Sequence, residues 1–246
     1  MLAIIGGRGL TELVNLEITH RQVMRTPYGE PSGAFIFGTL NQHEVIFLAR
    51  HGYGHTIPPH LVNYRANLWA LREQGVSEVI SVATVGGIRA DLLPGTIVVP
   101  DQIIDYTHGR DATFFDTRDT RYANADFAQP YNLKLRSRIL RSAHTLQYPC
   151  TDGGVYAATQ GPRLDSIAEI NRCERDGADM VGMTGMPETA LAMELNLNYA
   201  TIAVVVNYAA GRGDSRNGIN MEQTAAVAAM ERVRGILECV VKCDGD

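Results

Sequence analysis

The sequence predicts an α/β fold with a mixed, mainly parallel central sheet flanked by helices. Short apolar runs alternate along the chain with longer amphipathic stretches, which is the order of strands and helices in a sheet covered on both faces. Apolar residues make up 45% of the 246 residues and are spread evenly. No Ser/Gly or Pro tract, like-charge block or internal repeat marks a linker. We therefore predict one compact domain over residues 1–246.

Strands are predicted where a short apolar run is bounded by glycine, proline or polar residues. These runs are residues 2–5, 35–40, 44–49, 79–82, 96–100, 155–158, 180–183 and 199–206. Helices are predicted where apolar residues recur every three or four positions. These stretches are residues 63–74, 133–146, 167–175, 188–195 and 221–241. Gly75 stops the first helix and Pro187 starts the fourth, as expected for these residue types.

Polar side chains follow several of the predicted strands, at the sheet edge where ligands of such folds bind. The polar residues are Arg50, His51, Thr84, Thr184 and Asn207, and Ala83 and Met183 directly precede the two threonines. A bidentate guanidinium, hydroxyl groups and the free N–H groups at a helix start together suit a phosphate-sized anion. Arg8, at the tip of a glycine-rich turn after the first strand, either contacts the same anion or is a solvated loop residue.

Several other classes of site are not expected. The net charge of −5, without a basic stripe, disfavours nucleic acid. The glycine-rich turn is followed by Glu12 where a dinucleotide fingerprint needs glycine, and it lacks the Walker lysine, so no nucleotide cofactor is expected. His51, His55 and His60 fit no zinc spacing, so no metal is expected. No carboxylate pair for glycoside hydrolysis and no GxSxG elbow stands at the strand ends.

The N-terminal apolar run is too short to span a bilayer, and no positively charged segment precedes it. We therefore expect a cytoplasmic protein that does not contact a membrane. The four cysteines form no CxxC pair, so free and mostly packed thiols are expected.

Four stretches match a known family in combination: residues 48–57 with 62–64, residues 86–88, residues 160–163 and residues 177–188. They resemble the trimeric purine nucleoside phosphorylase family, especially its methylthioadenosine phosphorylase branch, and the resemblance runs from about Ile4 to the last helix. It implies a single-domain nucleoside phosphorylase fold, a homotrimer, and attack of inorganic phosphate, as co-substrate, on the anomeric carbon of a purine nucleoside. It implies neither an organic cofactor nor a metal.

The resemblance also assigns roles: Arg50, His51 and Thr184 hold phosphate, Met183 packs on the ribose, and Asn207 faces the base with Tyr208 and Ala209. These roles agree with the chemistry. Breaking the glycosidic bond builds positive charge on the sugar and negative charge on the purine, so phosphate held beneath the ribose stabilises the cation before attacking it. The leaving purine needs a partner at N7, which Asn207 can supply. His51, Thr184 and Asn207 are therefore the expected catalytic residues.

Two departures from the family pattern concern the base. The adenine-selective branch typically has aspartate where this chain has Asn207, and a second aspartate where it has Ala209. An amide both donates and accepts, so Asn207 can meet O6 and a protonated N7 of a 6-oxopurine together. Asp165 stands where the adenine branch has serine, and its carboxylate can accept N1–H of a 6-oxopurine. Asp165 is also a credible N-cap of the next helix, with Ala168 at the capping-box position.

Two further departures concern the ribose and the phosphate. Family members that act on ordinary nucleosides bond the 5′-hydroxyl with a histidine before the last helix, whereas this chain has Ile219 in that region and no histidine after His144. An apolar 5′-methylthio group is therefore expected. The family usually has a small hydroxyl residue in place of Arg8 and Thr-Ala in place of Ala83-Thr84, so Arg8 is expected to offset the relocated hydroxyl.

Together these features predict phosphorolysis of 5′-methylthioinosine. If the base assignment fails, the expected substrate is methylthioadenosine; if the 5′ assignment fails, it is inosine or guanosine. A nucleoside-binding protein without catalysis is the alternative from another class, and the set of phosphate-binding side chains argues against it.

Overall fold

The computed structural model of the protein describes residues 1–116, 126–213 and 223–242. The strands in these residues are β1 (Leu2–Gly6), β2 (Glu17–Gln22), β3 (Phe35–Leu40), β4 (His43–Ala49), β5 (Glu78–Gly87), β6 (Ile97–Val99), β7 (Gln102–Asp105), β8 (Thr151–Asp152), β9 (Val155–Ala158), β10 (Met180–Gly182) and β11 (Asn198–Tyr208). The helices are α1 (Tyr64–Glu73), α2 (Leu133–Thr145), α3 (Ile167–Arg175), α4 (Gly185–Glu194) and α5 (Gln223–Lys242), with a 3₁₀ turn at Pro59–Leu61.

All these strands belong to one sheet, which contains two parallel sets running in opposite directions. One set is β4, β1, β5 and β11, and the other is β7, β9 and β10. The sets meet where β10 pairs antiparallel with β5, placing Val181 opposite Gly86. β10 and β5 run in opposite directions. The carboxyl ends of strands from both sets therefore lie near residues 83–87 of β5. This stretch is therefore the natural centre of a site built from strand ends.

The predicted class, a mixed and mainly parallel α/β sheet, is confirmed, since six of the ten strand pairings in the described residues are parallel. The predicted 79–82 strand is too short: β5 continues to Gly87 because residues up to that glycine pair with both β10 and β11. β2 was not predicted because its side chains are mostly exposed and polar. It is an edge strand paired to β3.

The helices cover both faces of the sheet, as predicted. α2 and α5 pack with one face of the sheet, and α1 and α4 pack with the other. Asn63 and Asn132 cap α1 and α2 through their side-chain oxygens. The expectation that Asp165 caps α3 is wrong, because Ser166 accepts from the Glu169 N–H and Glu169 accepts from the Ser166 N–H. This reciprocal pair is a capping box one residue further along.

The irregular segment after β7 packs against other parts of the same chain. Phe114 is buried and its ring packs edge-on against Tyr28 at 5.0 Å. The described cysteines Cys150, Cys173 and Cys239 are free thiols, as predicted. In the described part of the chain, none of the helices is both long and apolar enough to cross a membrane.

Candidate active site

The glycine-rich turn, the end of β4 and the middle of β5 come together in the structure. The Arg50 backbone N–H donates to the Gly6 carbonyl at 2.9 Å, and Arg50 Nη1 donates to the Val82 carbonyl at 3.0 Å. Ala83 is buried and Thr84 is half-buried, each paired with a residue of β11. The turn after β1 and the end of β4 therefore lie beside the middle of β5, where Ala83 and Thr84 stand.

Arg50 is fully buried and forms a bidentate ion pair with Glu188, one turn into α4. Its Nε and Nη2 donate to the two Glu188 carboxylate oxygens at 2.6 and 2.8 Å. Nη2 also donates to the Ser81 hydroxyl at 2.6 Å, and the Tyr199 hydroxyl donates to Glu188 at 2.7 Å. Burial alone would lower the pKa of Arg50, but the Glu188 carboxylate outweighs burial and raises it. The pair is neutral overall.

This pairing changes what Arg50 can offer to an anion. A guanidinium has five N–H donors, and the bonds described above use Nε, both hydrogens of Nη2 and one of Nη1. The expected bidentate grip on phosphate is therefore wrong for this structure, because Glu188 occupies that face of the guanidinium. What Arg50 has left is a single Nη1 hydrogen, next to Gly7.

His51 is buried and held in one orientation. Its Nδ1 lies 2.8 Å from the Ile57 carbonyl oxygen, which can only accept, so Nδ1 carries the hydrogen. Burial, and then the adjacent Arg50 guanidinium, lower the pKa of His51 to about 4. At neutral pH the imidazole is therefore uncharged and its Nε2 is an acceptor. Such a group accepts a hydrogen bond from a P–OH or a ribose hydroxyl.

The lowered pKa of His51 predicts a pH-dependent stability. In the unfolded chain His51 returns to its ordinary pKa of 6.5 and takes up a proton that the folded state refuses until about pH 4. The stability that the protein gains by keeping His51 uncharged is thus fully present above pH 6.5, and it is lost as the pH falls towards about 4. We expect urea denaturation at about pH 7 and about pH 5 to show a smaller loss of stability in His51→Asn than in the wild type. Equal losses would contradict the assignment.

The elbow between β10 and α4 contains Met183 and Thr184, as predicted. Thr184 is buried, at the N-cap position of α4, and Met183 is half-buried. The Thr184 N–H lies 3.4 Å from the Tyr156 hydroxyl, so this amide already has a weak partner within the protein. The Thr184 hydroxyl makes no capping bond with the helix. This hydroxyl also hydrogen-bonds with the Tyr156 side chain, so an anion would share it with Tyr156.

Asn207 lies near the end of β11, beside Gly86 of β5. A Cβ at Gly86 would stand 3.4 Å from Asn207 Nδ2, so the glycine leaves the amide room. Nδ2 donates to the Tyr208 carbonyl at 2.6 Å, which fixes the amide and leaves its second hydrogen free. Tyr208 is exposed, whereas Ala209 is buried in an apolar cluster with Cys173 and Val181. Ala209 thus contributes close packing beneath the amide.

Asp165 lies at a cavity of about 400 Å³ that it shares with Thr159 and Cys173. The Thr159 hydroxyl donates to its carboxylate at 3.3 Å. Burial raises the pKa of the Asp165 carboxyl. The Asp165 side chain is half-buried and accepts one hydrogen bond from Thr159, so it keeps acceptor positions for a ligand.

Arg8 is exposed at the tip of its turn and lowers the pKa of His55, after the larger effect of burial on that histidine. The His55 ring in turn lies 4.7 Å from the His51 ring. Arg8 therefore lies near the His51–His55 pair, while its contact with phosphate stays a prediction. Ile219 lies outside the described residues, as does the rest of residues 218–221, the stretch that is expected to face the ribose 5′ position.

Two charged residues of this region were missed by sequence reasoning. Glu188 belongs to the matched stretch 177–188, but its pairing with Arg50 joins residues far apart in the chain. Arg110 lies in an irregular segment without periodicity, and it donates to the Met183 and Gln160 carbonyls. Among the described residues, no group of three or more His, Cys, Asp and Glu side chains is arranged to hold a metal ion.

The fold and these strand ends define an α/β protein with a group of polar side chains at one edge of its sheet, and comparison with known proteins gives its family. Residues 2–242 match the model of the phosphorylase superfamily. The chain belongs to this superfamily.

Individual relatives differ in the substrate that their names state. The chain is 49% identical over 215 residues to a probable S-methyl-5′-thioinosine phosphorylase of Xanthomonas campestris pv. campestris, covering 87% of this chain and 86% of the relative. It is 43% identical over 215 residues to the 6-oxopurine nucleoside phosphorylase of Pyrococcus furiosus, covering 85% and 80%. The methylthioadenosine phosphorylase of Schistosoma mansoni in complex with adenine superposes with a TM-score of 0.93 at 30% identity, covering 99% and 91%.

Proposed function

We propose that this protein cleaves 5′-methylthioinosine with inorganic phosphate, giving hypoxanthine and 5-methylthioribose 1-phosphate. The observation that supports this most is the Asn207 amide beside Gly86, which keeps one N–H hydrogen after its bond to the Tyr208 carbonyl, at a position where a 6-amino base would call for an acceptor alone. Its orientation leaves one N–H for O6 of a 6-oxopurine and a carbonyl oxygen for N7–H. The names of the relatives at about half identity point to the same substrate.

In the proposed reaction a phosphate oxygen bonds to C1′ as the C1′–N9 bond breaks, and the bonding electrons pass to the purine. The purine takes up a proton from solvent at N7, and the P–OH proton of monohydrogen phosphate is released to solvent as the sugar 1-phosphate forms, so charge and protons balance. Asn207 Oδ1 then accepts from N7–H, an interaction that strengthens as the base leaves. Phosphate beneath the ribose stabilises the cationic sugar in the transition state. Met183, between the base and phosphate sides, packs on the ribose.

The phosphate would be held by several weak contacts in place of one bidentate grip. Arg50 Nη1 and the Thr184 hydroxyl donate, and Thr84 adds a second hydroxyl. His51 Nε2 accepts a hydrogen bond from the P–OH group of monohydrogen phosphate, which fits the uncharged state of this imidazole. Because the Arg50–Glu188 pair is neutral, we assign the net positive charge on this side of the cleft to Arg8.

We further propose that the protein works in the cytoplasm as a homotrimer, with the whole chain 1–246 as one catalytic unit. The proposed mechanism uses phosphate as a co-substrate and needs neither an organic cofactor nor a metal. Asp165 accepts N1–H of the base, and Ile219, which lies outside the described residues, is assigned to the methylthio group.

The proposal is tested by incubating the purified protein with 5′-methylthioinosine, with and without phosphate, and identifying both products by mass. We expect hypoxanthine and the sugar 1-phosphate in equal amounts, and release of hypoxanthine that depends on phosphate. Free methylthioribose formed at the same rate without phosphate would show a hydrolase. Binding of the nucleoside without any cleavage would show a binding protein.

A further inference from the structure

Arg110 connects two loops that carry different parts of the proposed site. The base loop (residues 159–165) ends in Asp165, and the elbow (residues 183–186) contains Met183 and Thr184. Arg110 Nη1 donates to the Met183 and Met186 carbonyls at 2.8 and 2.6 Å. Its Nη2 donates to the Gln160 carbonyl at 2.7 Å and more weakly to that of Thr159 at 3.3 Å. One planar group thus holds both loops.

All three nitrogens of the Arg110 guanidinium donate hydrogen bonds to these two loops. Nε donates to the Gln160 side-chain oxygen at 3.1 Å, and the guanidinium carbon lies 5.7 Å from the centre of the Tyr64 ring. Among the ion pairs of the described residues none includes Arg110. A permanently charged group is therefore balanced by oriented carbonyls. Lysine could not copy this, because its donors radiate from one atom.

We propose that Arg110 is a positioning residue that sets the separation between the bound purine and the bound phosphate. The inference rests on the proposed function, in which the base loop contacts the purine and the elbow contacts phosphate and ribose. Phosphate must stand close to C1′ and in line with the leaving base, and small errors in this geometry are costly to the rate. Joining the two loops through one rigid plane fixes that geometry before the substrates bind.

The segment around Arg110 has other anchors, so the bridge can be removed without releasing it. Arg65 of α1 pairs with Asp111 and Asp116. Glu194 of α4 accepts from the Thr113 hydroxyl at 2.8 Å and from the Phe114 N–H at 2.7 Å. Arg65→Ala is therefore a matched control, since it weakens the anchoring of the same segment without touching the base loop or the elbow.

The test compares wild type, Arg110→Ala and Arg65→Ala in single-turnover phosphorolysis. For Arg110→Ala we expect a rate about 10²-fold lower, with much smaller changes in the Michaelis constants for nucleoside and phosphate, because the groups that contact the substrates remain. Guanidinium ion, well below denaturing concentrations, should restore at least part of the rate, whereas urea, which is planar but uncharged, should not. Arg65→Ala should keep the wild-type rate and ignore guanidinium.

Other outcomes overturn the inference. An Arg110→Ala rate equal to that of the wild type, an equal fall in Arg65→Ala, or equal rescue by urea would each do so. If Arg110→Ala does not fold, Arg110→Lys takes its place; full activity of this variant would show that charge alone suffices. Absence of phosphate-dependent cleavage by the wild type overturns the proposed function, and the role of Arg110 falls with it.

Discussion

Glu188→Gln should lower the free energy of unfolding by about 3–5 kcal/mol, the range measured when one partner of a buried ion pair is removed. The exposed fractions of the Arg50 and Glu188 side chains are 0% and 1%, so water cannot replace the lost carboxylate. Glutamine fills the same volume and keeps one acceptor, so the loss measures mainly the uncompensated charge of Arg50. Urea denaturation at neutral pH measures this effect.

The control for Glu188→Gln is Asp91→Asn, which breaks an ion pair with Arg89 at the surface, where the two side chains are 38% and 62% exposed. Its cost should stay below about 1 kcal/mol. Equal costs for the two variants would contradict the view that Arg50 depends on Glu188. We also expect Glu188→Gln to raise the Michaelis constant for phosphate, because the Arg50 guanidinium would lose one of the two bonds that orient it.

Asn207→Asp should shift the specificity constant from 6-oxopurine towards 6-aminopurine nucleosides by about 10-fold to 100-fold, which corresponds to 1–3 kcal/mol for a mismatched buried polar group. An ionised aspartate has no hydrogen to give to O6, and it accepts well from a 6-amino group. It also places an oxygen against the Tyr208 carbonyl, which now receives the Asn207 N–H, so the side chain has to rotate. Steady-state rates on 5′-methylthioinosine and methylthioadenosine measure the shift.

Asn198→Asp is the control for this change, because it adds the same charge at the exposed beginning of the same strand. It should leave the ratio of the two specificity constants unchanged. An unshifted ratio in Asn207→Asp would instead place base selection elsewhere. Asp165→Asn then becomes the next variant to measure, since Asp165 is the other residue expected to contact the base.

The sequence predicts the elements better than it predicts their directions. Alternating apolar runs identify the main strands, because burial on both faces leaves a continuous apolar pattern. The sequence of a three-residue buried strand such as β10 does not indicate whether the neighbouring strand is parallel or antiparallel. The antiparallel pairing of β10 with β5 depends on the tertiary structure, and it brings the ends of both strand sets towards residues 83–87. The polar edge strand β2 has no apolar pattern and was missed for that reason.

The candidate site likewise has features that the sequence predicts and features that only the tertiary structure shows. The residue types at the strand ends indicate an anion and a polar base, but they do not indicate that Glu188 takes the bidentate face of Arg50, since the two residues meet only in the fold. Arg110 has no motif around it that would suggest contact with both loops. The Ser166–Glu169 capping box, by contrast, is indicated by its Ser-x-x-Glu spacing, whereas Asp165 has Ala168 at the corresponding position.

We propose that this protein combines base selection for 6-oxopurines with an apolar pocket for the 5′ substituent. It is tested most directly by the specificity constants for 5′-methylthioinosine, methylthioadenosine and inosine, each at saturating phosphate. We expect 5′-methylthioinosine to be highest, methylthioadenosine to be reduced by the mismatch at Asn207, and inosine to be reduced by its 5′-hydroxyl. Preference for methylthioadenosine would contradict the base assignment, and preference for inosine would contradict the 5′ assignment.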